Sequence, residues 1–325
     1  MRKIVFILLS VLLIMTGCSN SNKDKAEGKP RVKIGIMLSD VGLGDQSFSD
    51  AGFTGLEKAR DELNISFDYR EIKETKTYEK GLEDLVKSKN DLIIGLGFAM
   101  QEALEKTAKK YPKQKFLLID GVSDLPNIYS LTFKEEEGSY LLGLIAGMKT
   151  KSNVVGFLGG MDVPLIRKFE KGFIAGVKQT NPNAVVISNY AGSFGDDKLG
   201  AQIAKGMIQK KADYIYPAAG FTGVGALLEA QRSGVFGFGV DSDQFYIAEK
   251  AVTTSMLKKI DVAVYNVAKE LKTNHTLTRK HMVLGIKENG VGLAPIRIIS
   301  LSAEEKSILK TQQEKLESGS LTIEP

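Results

Sequence analysis

From Val32 onward the chain alternates between short, nearly unbroken apolar runs and longer stretches with apolar residues every three or four positions. The runs cover residues 32–38, 91–96, 115–119, 128–133, 154–158, 184–187, 213–216 and 235–240. Such runs are what strands buried on both faces look like. The intervening stretches carry helical stripes, for example Tyr78, Leu82 and Leu85, or Phe53, Leu56 and Leu63. Strands alternating with helices predict parallel sheets with right-handed crossovers, an α/β fold. The spacing predicts two doubly wound lobes. After Phe133, the acidic run Lys134-Glu135-Glu136-Glu137 opens a helix carrying Leu141, Leu142, Ile145 and Met148, and a second set of βα units restarts at Asn153. The expected division is residues 31–133 plus 255–288 for lobe 1 and 134–254 plus 289–325 for lobe 2, with helix 261–273 rejoining lobe 1. A bilobed fold of this kind places its ligand between the lobes, at the carboxyl ends of the strands.

The amino terminus follows a different rule. Arg2 and Lys3 precede an apolar run over residues 4–15, interrupted by Ser10. At 1.5 Å per residue that run reaches about 18 Å, too short for a hydrocarbon core of about 30 Å, so it reads as a signal h-region. Met15-Thr16-Gly17-Cys18 then resembles a bacterial lipobox. It implies a signal peptide over residues 1–17, acylation of Cys18 with palmitate-type chains, and a membrane-anchored protein facing outside the cytoplasm. Residues 18–30 are polar and lack β-branched or aromatic side chains, as a flexible tether would.

Composition narrows the chemistry. In 325 residues there are one Cys and two His, which excludes a disulfide framework and leaves almost nothing for a Cys/His zinc site. Lys and Arg number 44 against 39 Asp and Glu, and the signs are interspersed, so no nucleic-acid partner is expected. There is no P-loop, no G-x-G-x-x-G fingerprint and no G-x-S-x-G elbow. His275 and His281 lie in a polar stretch and read as solvated surface residues. Neither a catalytic residue, a metal site nor a cofactor is expected.

The informative positions follow the predicted strands. Asp40 follows the run 32–38, Gly97-Phe98 the run 91–96, Asp120-Gly121 the run 115–119, Ala219-Gly220-Phe221 the run ending at Tyr216, and Asp241 the run ending at Val240. Any one of these aspartates reads most simply as a helix N-cap. Several of them, with glycines and aromatics alongside, fit a cleft in which carboxylates accept hydrogen bonds from a ligand and glycines permit close backbone approach. Phe48, Phe98 and Phe221 are expected on loops, where flat rings can stack on a planar ligand.

Several strings together resemble one family: SDVGLGDQSFSDAGFTGL, IIGLGF, LLIDG, GGMDVPLIRKFEKGFIAGV, NYAGSFGDDKLG, AAGFTGVG, GVDSDQ, TTSMLKKIDVAVY and ENGVGLAP. In this order, from about Lys33 to the end, they resemble the basic membrane protein family of lipoproteins, the purine-nucleoside receptors of bacterial ABC transporters. The resemblance implies a type I periplasmic-binding-protein fold with a three-strand hinge. It implies a purine nucleoside ligand (guanosine, inosine or adenosine) and ABC permease and ATPase subunits as partners. By position it implies Asp40 against the base, Phe48 stacked on the purine, Phe169 on the opposite face, and Asp120 and Asp241 holding the nucleoside. Asp241 is placed at the ribose hydroxyls, Lys258 at the hinge reaching the ligand, and Gly220 in the glycine loop. The chain departs from the family at Pro217, where a His is usual, at Phe221, where a second Gly is usual, and in a loop between Asp40 and Phe48 that is one residue shorter. The alternative reading is a surface regulatory or adhesin lipoprotein that keeps the scaffold without transport. A nucleoside hydrolase ranks behind both, because it requires a metal-binding Asp cluster at one strand end.

Overall fold

The computed structural model of the chain describes residues 31–324. The signal peptide, Cys18 and the tether expected over residues 1–30 lie outside the described residues. Residues 32–324 form one compact unit. Among the described residues it contains two six-stranded sheets. The first holds β1 (Lys33–Met37), β2 (Ser66–Arg70), β3 (Leu92–Leu96), β4 (Phe116–Ile119), β5 (Ile128–Phe133) and β11 (His281–Leu284), in the order β11-β5-β4-β3-β1-β2. The second holds β6 (Val154–Gly159), β7 (Val185–Tyr190), β8 (Tyr214–Ala218), β9 (Phe236–Asp241), β10 (Val252–Lys258) and β12 (Val291–Leu293), in the order β12-β10-β9-β8-β6-β7. The ladders of the first sheet are parallel, and in the second only β12 runs antiparallel to its neighbour.

Every residue of β3, β4 and β8 is buried, which is why these strands read as continuous apolar runs. Of the strands that no apolar run announced, β10 lies inside the second sheet, its apolar residues interrupted by Thr253, Thr254 and Ser255, and the other three lie at sheet edges. β2 is half-exposed, β11 alternates exposed and buried positions with His281 on the outside, and β12 has three residues. In each sheet the strand order reverses, between β1 and β3 and between β6 and β8. A crevice opens at the carboxyl ends of the strands at such a switch point. Pro217 stands in β8, whose ladder to β9 stops at Ile215, consistent with a residue that has no N–H to give.

The chain crosses between sheets at three places. After Phe133 it enters helix α5 (Glu135–Lys149), which packs on α6 (Pro164–Thr180) and on β10 and β12 of the second sheet. β10 runs past Ser255 to Lys258 within the second sheet. The chain then enters α9 (Ile260–Asn274), which packs on α1 (Phe48–Leu63) beside the first sheet. The third crossing lies between Leu284 and Val291. Each sheet is therefore covered partly by a helix that the other sheet feeds.

The α5–α6 contact depends on backbone touching backbone. A Cβ on Gly176 would stand 2.1 Å from the Tyr140 carbonyl oxygen, and one on Gly143 would stand 2.2 Å from that of Phe173. Neither obstacle is a flexible side chain. Gly176→Ala is therefore expected to destabilise by about 3 kcal/mol through overpacking. Gly206→Ala, in helix α7 (Asp197–Gln209) with open space around it, should stabilise by roughly 0.5–1 kcal/mol. Urea unfolding of the two variants checks both signs.

Candidate ligand-binding site

Residues at the carboxyl ends of β1, β3 and β4 meet those of β6, β8 and β9 around a cavity of about 200 Å³. At roughly 10–15 Å³ per enclosed water, this is room for a small organic molecule rather than a solvent site. Of the residues singled out in the sequence, Asp40, Phe48, Gly97, Asp120, Phe169, Gly220, Asp241 and Lys258 all line it. Phe98 lines it too.

Phe221 does not line the cavity. Helix α8 (Gly220–Arg232) begins at the end of β8, so Phe221 is a helical residue and not a loop residue. The ring at that place comes from Phe194. The Phe194 carbonyl accepts the Thr222 N–H at 2.9 Å, and the Thr222 hydroxyl bonds both Ser193 O and Asp196 N–H. The amino terminus of α8 thus pins the 193–196 loop and sets the Phe194 ring beside Gly160, where a Cβ would lie 2.3 Å from it. Phe48 and Phe98 likewise begin helical turns and do not sit on loops.

The segment before α1 is held by carboxylates. Asp45 is buried and accepts the N–H groups of Ser47, Ser49 and Asp50. It therefore does the capping work that a reading of single strand-end aspartates assigned to Asp40; Asp120 has no helix after it to cap, since β4 leads into β5. Burial raises the Asp45 carboxyl to about 6 against the lowering by those three N–H groups. Asp40 stays exposed at the rim.

The centre of the site is Lys258, the last residue of β10, with only 2% of its surface exposed. Its Nζ lies 2.6 Å from Asp120 Oδ2 and 2.9 Å from Glu135 Oε1. It also lies 5.1–5.7 Å from the ring centres of Phe133, Phe48 and Phe169, within cation–π range. Burial opposes the charge, but Asp120, Glu135 and Asp241 outweigh it and hold the ammonium above the usual lysine range. Burial, aided by the Glu135 charge and countered by Lys258, lifts Asp120 to about 6. Burial also raises Asp241, against Lys258 and the Ser47 hydroxyl bonded to it. Asp120 and Asp241 end the fourth strand of their respective sheets and both take left-handed backbone, with φ of 66° and 63°. That region is tolerated best by Asn, Asp and Gly.

Two buried polar atoms on the cavity wall have no hydrogen-bond partner, Asp120 Oδ1 and the Tyr78 hydroxyl. Such atoms are costly unless something satisfies them. The arrangement offers an acceptor and a phenolic donor set among rings contributed by both lobes.

Sequence reasoning missed Asp45, Tyr78, Glu135 and Phe194. Tyr78 sits on the same helical stripe as Leu82 and Leu85, so it read as core. Glu135 read as the opening of a helix. Phe194, in a Gly-rich string, carried the one usable signal, a large ring with no helical or strand period around it. Among the described residues no cluster of three or more His, Cys, Asp or Glu could hold a metal ion, and no helix is long and apolar enough to cross a membrane.

The profile of a family described as "ABC transporter substrate-binding protein PnrA-like" (Bmp) matches residues 32–322. The chain belongs to the Bmp family. This is a family of substrate-binding proteins of ABC transporters, not of enzymes. Among its relatives, Basic membrane protein A of Borreliella burgdorferi is 32% identical over 90% of this chain and 87% of its own. The ABC transporter nucleoside-binding protein BmpA of Lactococcus lactis is 28% identical over 98% and 96%. A crystal structure of an ABC transporter solute-binding protein from Aeropyrum pernix superposes with a TM-score of 0.82 at 26% identity, covering 90% of this chain and 92% of that one. The Bmp chain described here has the same two-lobed periplasmic-binding-protein architecture.

Two consequences concern the buried charges. Lys258→Met leaves Asp120 without its cation and Glu135 with Lys168 alone, and is expected to cost about 3–5 kcal/mol. Pairing it with Asp120→Asn should recover part of that loss in a double-mutant cycle read by denaturant unfolding. For Asp45, the ordinary carboxyl value is 3.8 and the folded value about 6. The folded chain binds the proton more tightly, so this group's contribution makes stability fall as pH rises through that window and stay low above it. Asp45→Asn should flatten the thermal midpoint against pH between about 4 and 6, while lowering it overall because an amide accepts at one oxygen only.

Proposed function

We propose that this protein is a lipid-anchored receptor that captures purine nucleosides in the interlobe cavity and delivers them to an ABC permease and its ATPase subunits. Anchoring is through Cys18 on the outer side of the cytoplasmic membrane, with the polar segment behind it as tether. A single acyl chain holds only marginally, so stable attachment calls for more than one. The observation that carries the ligand reading is the cavity wall itself. Phe48 and Phe98 from one lobe and Phe169 and Phe194 from the other surround it, with Asp120 Oδ1 left as a buried acceptor. A flat heterocycle with N–H and O–H donors meets both demands. Stacking contributes roughly 1–3 kcal/mol per base, and a hydrogen bond to an ionised carboxylate about 1.5–3 kcal/mol. The Lactococcus lactis relative, named as a nucleoside-binding protein, supports the same reading.

Calorimetry against guanosine, inosine, adenosine, cytidine, ribose and guanine tests it. The purine nucleosides should bind and raise the thermal midpoint. Absence of binding by every nucleoside overturns the proposal. Asp241→Ala is expected to weaken nucleosides more than free bases, and Phe48→Ala to weaken both by about tenfold or more, the loss of one stacking contact. Equal losses for guanosine and guanine in Asp241→Ala would remove Asp241 from the ribose.

A further inference from the structure

Two hydrogen bonds join the lobes beside the cavity. The Ser47 hydroxyl, immediately before α1, donates to Asp241 Oδ2 at 2.5 Å. One residue earlier, the Gln46 carbonyl accepts from Gln244 Nε2 at 3.1 Å. Both sides are held in place before they meet. On the first lobe, Gln46 takes left-handed backbone with φ of 53°, a conformation that a residue with this side chain adopts only when its surroundings impose it. The Asp50 carboxylate imposes it by accepting the Gln46 and Gly44 N–H groups, and Asp45 fixes the Ser47 N–H. On the second lobe, Gln244 is buried, its Oε1 accepting from Val240 N–H and its own N–H donating to Ser255 Oγ. A strained loop whose carbonyl and hydroxyl both end on the other lobe serves the joint between lobes, not the fold of either one.

We propose that Ser47 and Gln244 form a clasp that holds the lobes together before a ligand enters, and that Ser47 is a positioning residue for the Asp241 carboxylate. By taking Oδ2 it fixes the carboxylate plane and leaves the other oxygen to the cavity. The positioning role rests on the interlobe cavity being the ligand site. The clasp does not.

The first measurement is therefore made without ligand. In the full chain with Cys18→Ser, spin labels at Glu102→Cys and Lys198→Cys, one exposed position on each lobe, report the interlobe distance. The parent should give a predominantly short distance. Ser47→Ala and Gln244→Ala should each raise the open-to-closed ratio about tenfold, the loss of one charged or buried hydrogen bond, and Ser47→Thr should restore the short distance. The second measurement is guanosine dissociation, expected to quicken about tenfold in Ser47→Ala, with the thermal midpoint of the unliganded chain lowered by no more than the shift in the open-to-closed ratio accounts for. A predominantly long distance in the parent, or an identical distribution in parent and Ser47→Ala, overturns the clasp. A lowered thermal midpoint with no change in distance reduces Ser47 to a structural role and also overturns it. If the distances shift as expected while no nucleoside binds the parent, the clasp stands and the nucleoside reading falls.

Discussion

The ammonium of Lys258 joins the two halves of this molecule electrically. It leaves the second sheet at the end of β10, meets Asp120 at the end of β4 in the first sheet, and is tied to Glu135 in the first turn of the crossing helix α5. In surroundings this dry a paired charge is held strongly, and an unpaired one would be intolerable. Asp120, Asp241 and Glu135 surround Lys258, with Lys168 on the far oxygen of Glu135, and Asp120 keeps an unsatisfied oxygen. The cleft therefore favours an occupant that brings hydrogen-bond donors and no negative charge. The rings of Phe48, Phe133 and Phe169 around the ammonium keep water from satisfying it instead.

The crossings explain why such a cluster can exist. Because α5 is fed by the first sheet and packs on the second, and α9 the reverse, residues from both sheets reach the same small volume. Glu137, two residues beyond Glu135, accepts the Ile286 N–H from the third crossing and an ion pair from Lys134 at the first. The first turn of α5 thus ties all three crossings at one polar hub. Asp120 and Asp241, equivalent in their sheets and alike in backbone, both line the one cavity.

Much of the fold was legible because buried parallel strands leave an unmistakable mark. Runs such as Leu92–Leu96 and Phe116–Ile119 need apolar residues on both faces, and helices such as Tyr78–Lys87 need them on one. Ser66–Arg70 and His281–Leu284 escaped because half-exposed edge positions carry no such demand, and Val252–Lys258 because Thr253, Thr254 and Ser255 interrupt its apolar residues. At the site, a carboxylate directly after a buried strand proved the most readable signal, and it located Asp120 and Asp241. Phe221 misled because helix α8 starts at once after β8, and the ring beside that point belongs to Phe194, many residues away in sequence.

The sequence by itself determined the alternation of strands and helices, the two-lobed division, and the acidic and aromatic character of the strand ends, since each follows from local periodicity and burial. Only the tertiary structure decided which of those ends share one cavity, that Lys258 pairs with Asp120 and Glu135, and that Asp45 caps α1 while Ser47 reaches Asp241. Those partners lie far apart along the chain or turn on backbone angles that no pattern of residue types records. They are settled by which side chains the three crossings bring within hydrogen-bonding distance of one another.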